Sequence, residues 1–236
     1  MAVLDYSHLS DDYDAKRYLS DTDRLVESLR MEAFMELLQL RSNMKVADIA
    51  TGTGRGAIAM AAHVEHVTAV DGTPKMLEQA KTKAVEAGLS NIDFQLADAF
   101  ALELPSEHFD LVIALNFLHL FLPVERQAKL VAQMARLVKP GGRLVIELDN
   151  ALQGGPLGLL RKYFVHDLGY NFPWDIRRMM SPDLRIESVC GVLLPGVWRL
   201  HTLAPRLVFA LARAAHYTPL LKYLTMRWFI SARKVH

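Results

Sequence analysis

The 236 residues are 51% apolar and 22% charged with a single cysteine, which sets aside a disordered chain, a disulfide framework and a thiolate metal cluster. No stretch approaches the ~18 consecutive apolar residues of a membrane-spanning helix, and Met1-Ala-Val-Leu-Asp-Tyr lacks the basic-then-apolar order of a secretory signal, so one enlarged, globular, cytoplasmic domain is expected. The net charge of +1 hides an asymmetry: Ser188 to His236 holds seven Lys and Arg and no acid, which leaves −6 for residues 1–187.

Along the chain, residues 1–20 form a polar arm carrying Tyr6, Tyr13 and Tyr18. Asp21 or Thr22 caps a predicted helix to about Arg41, with Leu25, Leu29, Phe34, Leu37 and Leu38 on its apolar side. Strands and helices then alternate. Met44–Ala50 reads as a strand, Gly54–Ala62 as an alanine-rich helix and His66–Asp71 as a second strand. Thr73-Pro74 opens a helix that Gly88 ends. Ile92–Ala97 and the nearly all-apolar Phe109–Leu115 are strands three and four. Pro123–Val138 is a helix, Pro140-Gly141-Gly142 a turn and Arg143–Leu148 strand five. This alternation predicts a parallel, doubly wound sheet. Beyond it, Gly154–Leu168 reads as a helix, and Leu184–Leu194 and Arg227–Val235 as the last strands, with a basic, apolar insert at 195–226 between them. Cys190, inside an apolar strand, reads as a buried structural thiol.

The run Asp48-Ile-Ala-Thr-Gly-Thr-Gly-Arg-Gly56 follows the first strand and enters a helix. Such a glycine turn brings backbone N–H groups to a ligand at the mouth of a parallel sheet. Gly52-Thr-Gly54-Arg-Gly-Ala57 fits the dinucleotide pattern, with Asp71 placed for a ribose hydroxyl. Asp48, Asp71 and Asp98 each serve equally well, taken singly, as caps or turn residues. All three fall at the carboxyl ends of predicted parallel strands, where such sheets bind ligands.

Taken in series, Asp48-x-Ala-x-Gly52-x-Gly54, Val67-Thr-Ala-Val-Asp71-Gly-Thr-Pro-Lys-Met76-Leu77, Ala97-Asp98-Ala99, Leu104-Pro105, Phe109-Asp-Leu-Val and Leu137-Val-Lys-Pro-Gly-Gly-Arg143 resemble the class I S-adenosylmethionine-dependent methyltransferases from about Val46 to Leu148. The departure is Ala50, where that family commonly has Gly; Ala is tolerated there if its backbone stays in the ordinary region. The resemblance implies an α/β fold: a Rossmann-like doubly wound sheet, mostly parallel with an antiparallel final strand, plus helical substrate-cap elements. The single domain would divide into an arm and helix (1–43), a cofactor core (44–149) and cap insertions (150–183 and 195–226). It implies S-adenosylmethionine as cofactor and S-adenosylhomocysteine as product. Ala50, Gly52 and Gly54 would let backbone approach the amino-acid end, and Asp48 would orient the loop or meet the ammonium. Asp71, beside Gly72, can accept both ribose hydroxyls, since a carboxylate has two acceptor oxygens. By resemblance Asp98 and the Ala99 N–H face the adenine edge, Met76 packs on the ring and Asn116 lines the pocket.

Methyl transfer needs alignment and exclusion of water more than elaborate chemistry. No His/Asp/Glu grouping suggests a metal. His119, on the loop after strand four, is the candidate general base, suited to an oxygen acceptor; it also reads as a packed or capping histidine. Asn116 is not followed by the Pro-Pro-aromatic run used on nucleic-acid amino groups, so no nucleic-acid partner is expected. Tyr13 and Tyr18 would close over the acceptor as a lid. Arg199, Arg206 and Arg213 recur every seven residues amid apolar and aromatic residues. The insert therefore reads as a peripheral membrane segment, a hydrophobic lid over a bulky, apolar or lipid-like small-molecule acceptor, or a docking helix with solvated arginines. An NAD(P)-dependent oxidoreductase and a catalytically silent cofactor-binding partner protein are the alternatives.

Overall fold

The structure, a computed structural model, describes residues 20–151, 170–194, 196, 204–219 and 221–236. Tyr13, Tyr18, Arg199 and the helix expected over Gly154–Leu168 lie outside the described residues. Helix α1 (Asp21–Leu38) starts at Ser20, just before the expected cap. The Ser20 hydroxyl accepts from the Asp23 N–H while the Asp23 carboxylate accepts from the Ser20 N–H, a reciprocal box that satisfies two terminal donors. The helix ends at Gln39 in the left-handed region, φ 48.

There follow β1 (Lys45–Ile49), α2 (Arg55–Ala61), β2 (His66–Asp71), α3 (Pro74–Glu86), β3 (Ile92–Leu96) and β4 (Phe109–Ala114). A short 3-10 turn (Leu118–Leu120) precedes α4 (Val124–Leu137) and β5 (Val138–Asn150). Then come β6 (Tyr170–Asn171), α5 (Pro173–Met179), β7 (Leu184–Val192), α6 (Pro205–Tyr217) and β8 (Arg227–Lys234). The sheet order is β3-β2-β1-β4-β5-β8-β7, with β6 on the end of β5. Strands β1 to β5 are mutually parallel, and β8 runs antiparallel between β5 and β7. The expected Pro140-Gly141-Gly142 turn lies within β5 as a bulge: Phe109 pairs with Val138 but Leu111 with Arg143. Gly142 is required there, because a Cβ would stand 3.0 Å from the Asp110 carbonyl.

Alternating side chains of the central strands feed two cores. Ala47, Ile49, Val112, Ala114, Leu144 and Ile146 pack with Leu130, Val131 and Met134 of α4 and with Ile176 and Met179 of α5. Val46, Val67, Ala69, Leu111, Ile113 and Val145 pack on the opposite side with Leu29, Phe34 and Leu38 of α1, Ala57 and Met60 of α2, and Val208 and Ala212 of α6. Cys190 is fully buried in this second core, as its apolar run predicts.

Four of the C-terminal cations pair with acids of their own chain. Arg227 binds Glu147 and Asp149, Arg233 binds Glu187, Lys234 reaches Glu107 and Asp183, and Arg213 of α6 faces Glu32 and Glu36 of α1. These four cations of the basic tail therefore meet the acidic part of the same chain, while the Lys222 ammonium lies over the Tyr223 ring. The described part of α6 is docked by Val208 and Ala212, and Leu207 stays exposed. Among the described residues no helix is long and apolar enough to cross a membrane.

Candidate functional site

Strand order reverses between β2 and β4 around β1, and the crevice at that switch is where open parallel sheets take ligands. The Asp48–Gly56 loop crosses it. Ala50, Gly52 and Gly54 all have positive φ, at 59°, 57° and 82°. The sequence-based condition on Ala50, an ordinary backbone conformation, is thus not met: the alternating left-handed path needed to leave β1 and enter α2 takes Ala50 with it. That region costs a non-glycine residue roughly 1–2 kcal/mol. Gly54 also lies against α3, where a Cβ would come within 2.8 Å of Ala80.

The loop's N–H groups are not a bare anion cradle. Thr51 N–H donates to the Val70 carbonyl at 2.9 Å and Gly54 N–H to the Thr51 carbonyl at 3.0 Å. Gly52 N–H donates to Asp71 Oδ2 at 2.8 Å. The N–H groups of Thr51, Gly52 and Gly54 are thus engaged within the protein.

Asp71, at the end of β2, also accepts from the Thr73 N–H through Oδ1 at 2.9 Å. Burial pushes its carboxyl above the usual range, opposed by the N–H groups of Gly52, Thr73 and Gly72. A cavity of about 270 Å³ opens beside it. Ala50 and Gly52 line it from the loop after β1, Asp71, Gly72, Thr73 and Met76 from the turn after β2, and Ala97 to Phe100 from the turn after β3. Asn116, Phe117, His119, Leu120 and Phe121 line it after β4. Two carboxylates, Asp71 and Asp98, face this cavity, and among its described lining there is no lysine or arginine. The field suits a cationic ligand with hydroxyl donors, as a sulfonium nucleoside is, and suits a polyphosphate poorly. The Asp98 side chain also shapes its own turn, Oδ1 accepting from the Phe100 N–H at 2.9 Å.

A smaller hollow of about 90 Å³ shares Ala50, Gly52 and Asn116 with the first. It adds Arg30, Asp48, Thr51, Thr53 and Arg55. Asp48 faces this hollow and not the large cavity. Its Oδ2 accepts from the Thr51 hydroxyl at 2.7 Å, and the Ala57 N–H at the start of α2 also bonds the carboxylate. A Cβ on Gly56 would sit 2.9 Å from that oxygen. Burial lifts the Asp48 carboxyl to about 7, against the Thr51 and Ala57 hydrogen bonds.

The expected residues Ala50, Gly52, Asp71, Gly72, Met76, Asp98, Ala99, Asn116 and His119 thus surround one cavity, whereas Gly54 lines neither hollow. Tyr13 and Tyr18 lie outside the described residues. Sequence reasoning missed the aromatic wall: Phe121 meets Phe117 and Phe100 edge-on, with centroids 4.9 and 5.1 Å apart. It also missed a buried charge ladder. Glu147 of β5 accepts from Arg30 at 2.6 Å, Arg227 at 3.1 Å and the Asn116 N–H at 2.8 Å. These two cations hold its carboxyl down at about 2 despite complete burial. Arg30 in turn grips Glu27 bidentately at 2.7 and 2.8 Å, and Glu27 accepts from Arg55. The available signal was a lone acid inside Leu144-Val-Ile-Glu-Leu148.

A family model described as a methyltransferase domain matches residues 46–142. Phosphatidylethanolamine N-methyltransferase of Cereibacter sphaeroides is 32% identical over 149 residues, covering 61% of this chain and 71% of the relative. The 27-O-demethylrifamycin SV methyltransferase of Amycolatopsis mediterranei is 36% identical over 125 residues, covering 52% of this chain and 44% of the relative. In fold, an S-adenosylmethionine-dependent methyltransferase from Mesorhizobium loti matches with TM-score 0.63 at 19% identity, over 87% of this chain and 98% of that one.

Two stability predictions follow from the loop. Ala50→Gly releases a side chain from a left-handed position and should raise stability by about 0.5–1 kcal/mol net of glycine's entropy; an unchanged or lower urea midpoint would contradict the strain. Asp48 keeps a proton in the folded chain that the unfolded chain, with a carboxyl near 3.8, releases. Its contribution is complete below about pH 4 and is lost as pH rises through 7. Asp48→Asn should therefore flatten the decline in urea midpoint across that interval, and a slope equal to wild type would count against it. Glu147 has the opposite sign: its contribution is complete above 4.5 and lost only as pH falls through about 2, so it leaves the interval clear.

Proposed function

The chain belongs to the class I S-adenosylmethionine-dependent methyltransferase family, and from that premise we propose that it methylates a bulky, largely apolar or lipid-like small molecule. S-adenosylmethionine is the methyl donor. When bound it supplies a methyl group already activated by its sulfonium. The observation that carries the acceptor reading is the wall of Phe100, Phe117, Leu120 and Phe121 on the cavity. Such a surface gains free energy by covering apolar area, roughly 25 cal/mol per Å². The names of the two sequence relatives, methyltransferases of phosphatidylethanolamine and of 27-O-demethylrifamycin SV, support this reading.

The residues fit the donor. Asp71 has acceptor capacity for the ribose diol, while Asp98, Ala99 and Met76 would hold the adenine. The loop through Ala50 and Gly52 would pass the amino-acid end toward the smaller hollow, where Arg30 and Arg55 present positive charge and the buried Asp48 carboxyl a polar group. His119 sits on the same loop as the aromatic wall. For an oxygen acceptor, slightly favoured here, it would take the hydroxyl proton as the new bond forms. The loop's aromatic side chains would exclude water. The domain would divide into a cofactor core at 44–149 with the arm and insertions building the acceptor side, and exposed Leu207 and Leu224 would give residues 195–226 peripheral contact with a lipid surface.

Transfer of labelled methyl from S-adenosylmethionine to phosphatidylethanolamine vesicles, to hydroxylated apolar small molecules and to short polar alcohols tests the acceptor class; labelling of the polar alcohols alone would overturn it. Asp71→Ala should weaken S-adenosylhomocysteine binding by calorimetry about 100-fold, the loss of two charge-assisted hydrogen bonds; wild-type affinity would mean the ribose is held elsewhere. His119→Ala should keep that affinity and lower turnover about 100-fold or more, and full turnover would remove it as the base.

A further inference from the structure

Arg30 and Arg55 of the charge ladder line the smaller hollow, and among the described residues the ladder meets the larger cavity at Asn116. Asn116 is in the left-handed region, φ 49, and lines both hollows. It is held at two points. Its N–H donates to Glu147 Oε2 at 2.8 Å, and its side-chain Oδ1 accepts from Arg227 Nη1 at 3.0 Å. Arg227 also donates to Glu147 Oε1 at 3.1 Å and pairs with Asp149 at 3.0 Å, while Arg30 takes the remaining side of Glu147. Backbone and side chain of Asn116 are thus fastened to one fully buried carboxylate and one of its cations. A left-handed asparagine between a strand end and a 3-10 turn has other conformations available. The clamp selects one, and with it the direction in which residues 117–121 leave β4.

The same ladder continues to the opposite wall of the smaller hollow, through Arg30 and Glu27 to Arg55, the first residue of α2 after the glycine loop. The two walls, Asn116 on one side and the glycine loop on the other, are joined by alternating charges that α1 brings across them. We propose that Glu147 and Arg227 are positioning residues for the cofactor site, acting through Asn116, and that Arg30, itself on the wall of the smaller hollow, ties them through Glu27 to Arg55 and so fixes the spacing between β4's loop and the glycine loop. This rests on the cofactor occupying these joined hollows. Glu147 and Arg227 touch Asn116, and Arg30 reaches Arg55 through Glu27, so their effect should appear first as affinity for the cofactor.

S-adenosylhomocysteine titrated calorimetrically into the full chain tests this without turnover or a known acceptor. Arg227→Met leaves Glu147 matched by Arg30 and removes the bond to Asn116 Oδ1. It should weaken binding about tenfold, the scale of one hydrogen bond to a charged group. Asn116→Ala should weaken it at least as much, and adding Arg227→Met to Asn116→Ala should cost less than about twofold more. A purely structural Arg227 would lower the thermal midpoint while leaving affinity intact, or would multiply with Asn116→Ala; either result overturns the proposal. If Arg227→Met does not fold, Asn116→Ala carries the test, and wild-type affinity in that variant overturns the proposal equally. A wild-type chain that binds no S-adenosylhomocysteine would bring down the site assignment itself; wild-type binding with indifferent Arg227 variants brings down this proposal alone.

Discussion

An ionised carboxylate buried among strands is stable only when cations and donors surround it, and Glu147 sets that condition for much of this fold. It lies on β5, and its carboxyl is held at about 2 by Arg30 and Arg227. Those partners are 117 and 80 residues away in the chain. Removing one member of such a group typically costs about 3–5 kcal/mol, because the remaining charge is left without compensation. Satisfying Glu147 therefore requires α1 to lie across the sheet and β8 to occupy the place beside β5. The hydrophobic cores favour the same arrangement, with Phe34 of α1 packed against Phe229 of β8 at 5.4 Å. Packing brings the elements together, and the charges choose the register in which they meet.

This also accounts for the uneven charge of the chain. A tail of +7 against −6 elsewhere invites a search for an acidic partner or membrane. In the fold, Arg213, Arg227, Arg233 and Lys234 each find carboxylates on earlier elements. The exposed pairs among them contribute little to stability individually. Glu147 and Arg227 differ because they are desolvated and hydrogen-bonded on several sides.

The cofactor core was legible because its signals are local. A glycine-rich turn after an apolar run, an acid closing the next strand, Asp98-Ala99 after the third and a Pro-Gly-Gly turn are each contained in a few residues. A parallel sheet then gathers their strand ends at one edge. The ladder was not legible, since nothing in the sequence says which of the chain's arginines will meet Glu147. Phe100, Phe117 and Phe121 were equally hidden, because an aromatic in an apolar segment reads as core until the fold shows it facing a cavity. Ala50 failed in a different way. Its identity suggested ordinary backbone, but the path between β1 and α2 sets its φ, and alanine accepts the strain. The glycine loop was read as offering its amides to a ligand, and the fold engages those of Thr51, Gly52 and Gly54 internally. No short pattern distinguishes those two uses.

The bond from Gly52 to Asp71 has one more consequence. The same carboxylate fastens the loop and faces the cavity. Any ligand that draws on Asp71 alters the acceptor strength felt by the Gly52 amide, even without touching glycine. That amide proton is accordingly an intrinsic spectroscopic reporter of the site. The bond to a carboxylate should displace its resonance and slow its exchange with solvent, and a ligand drawing on Asp71 should shift both.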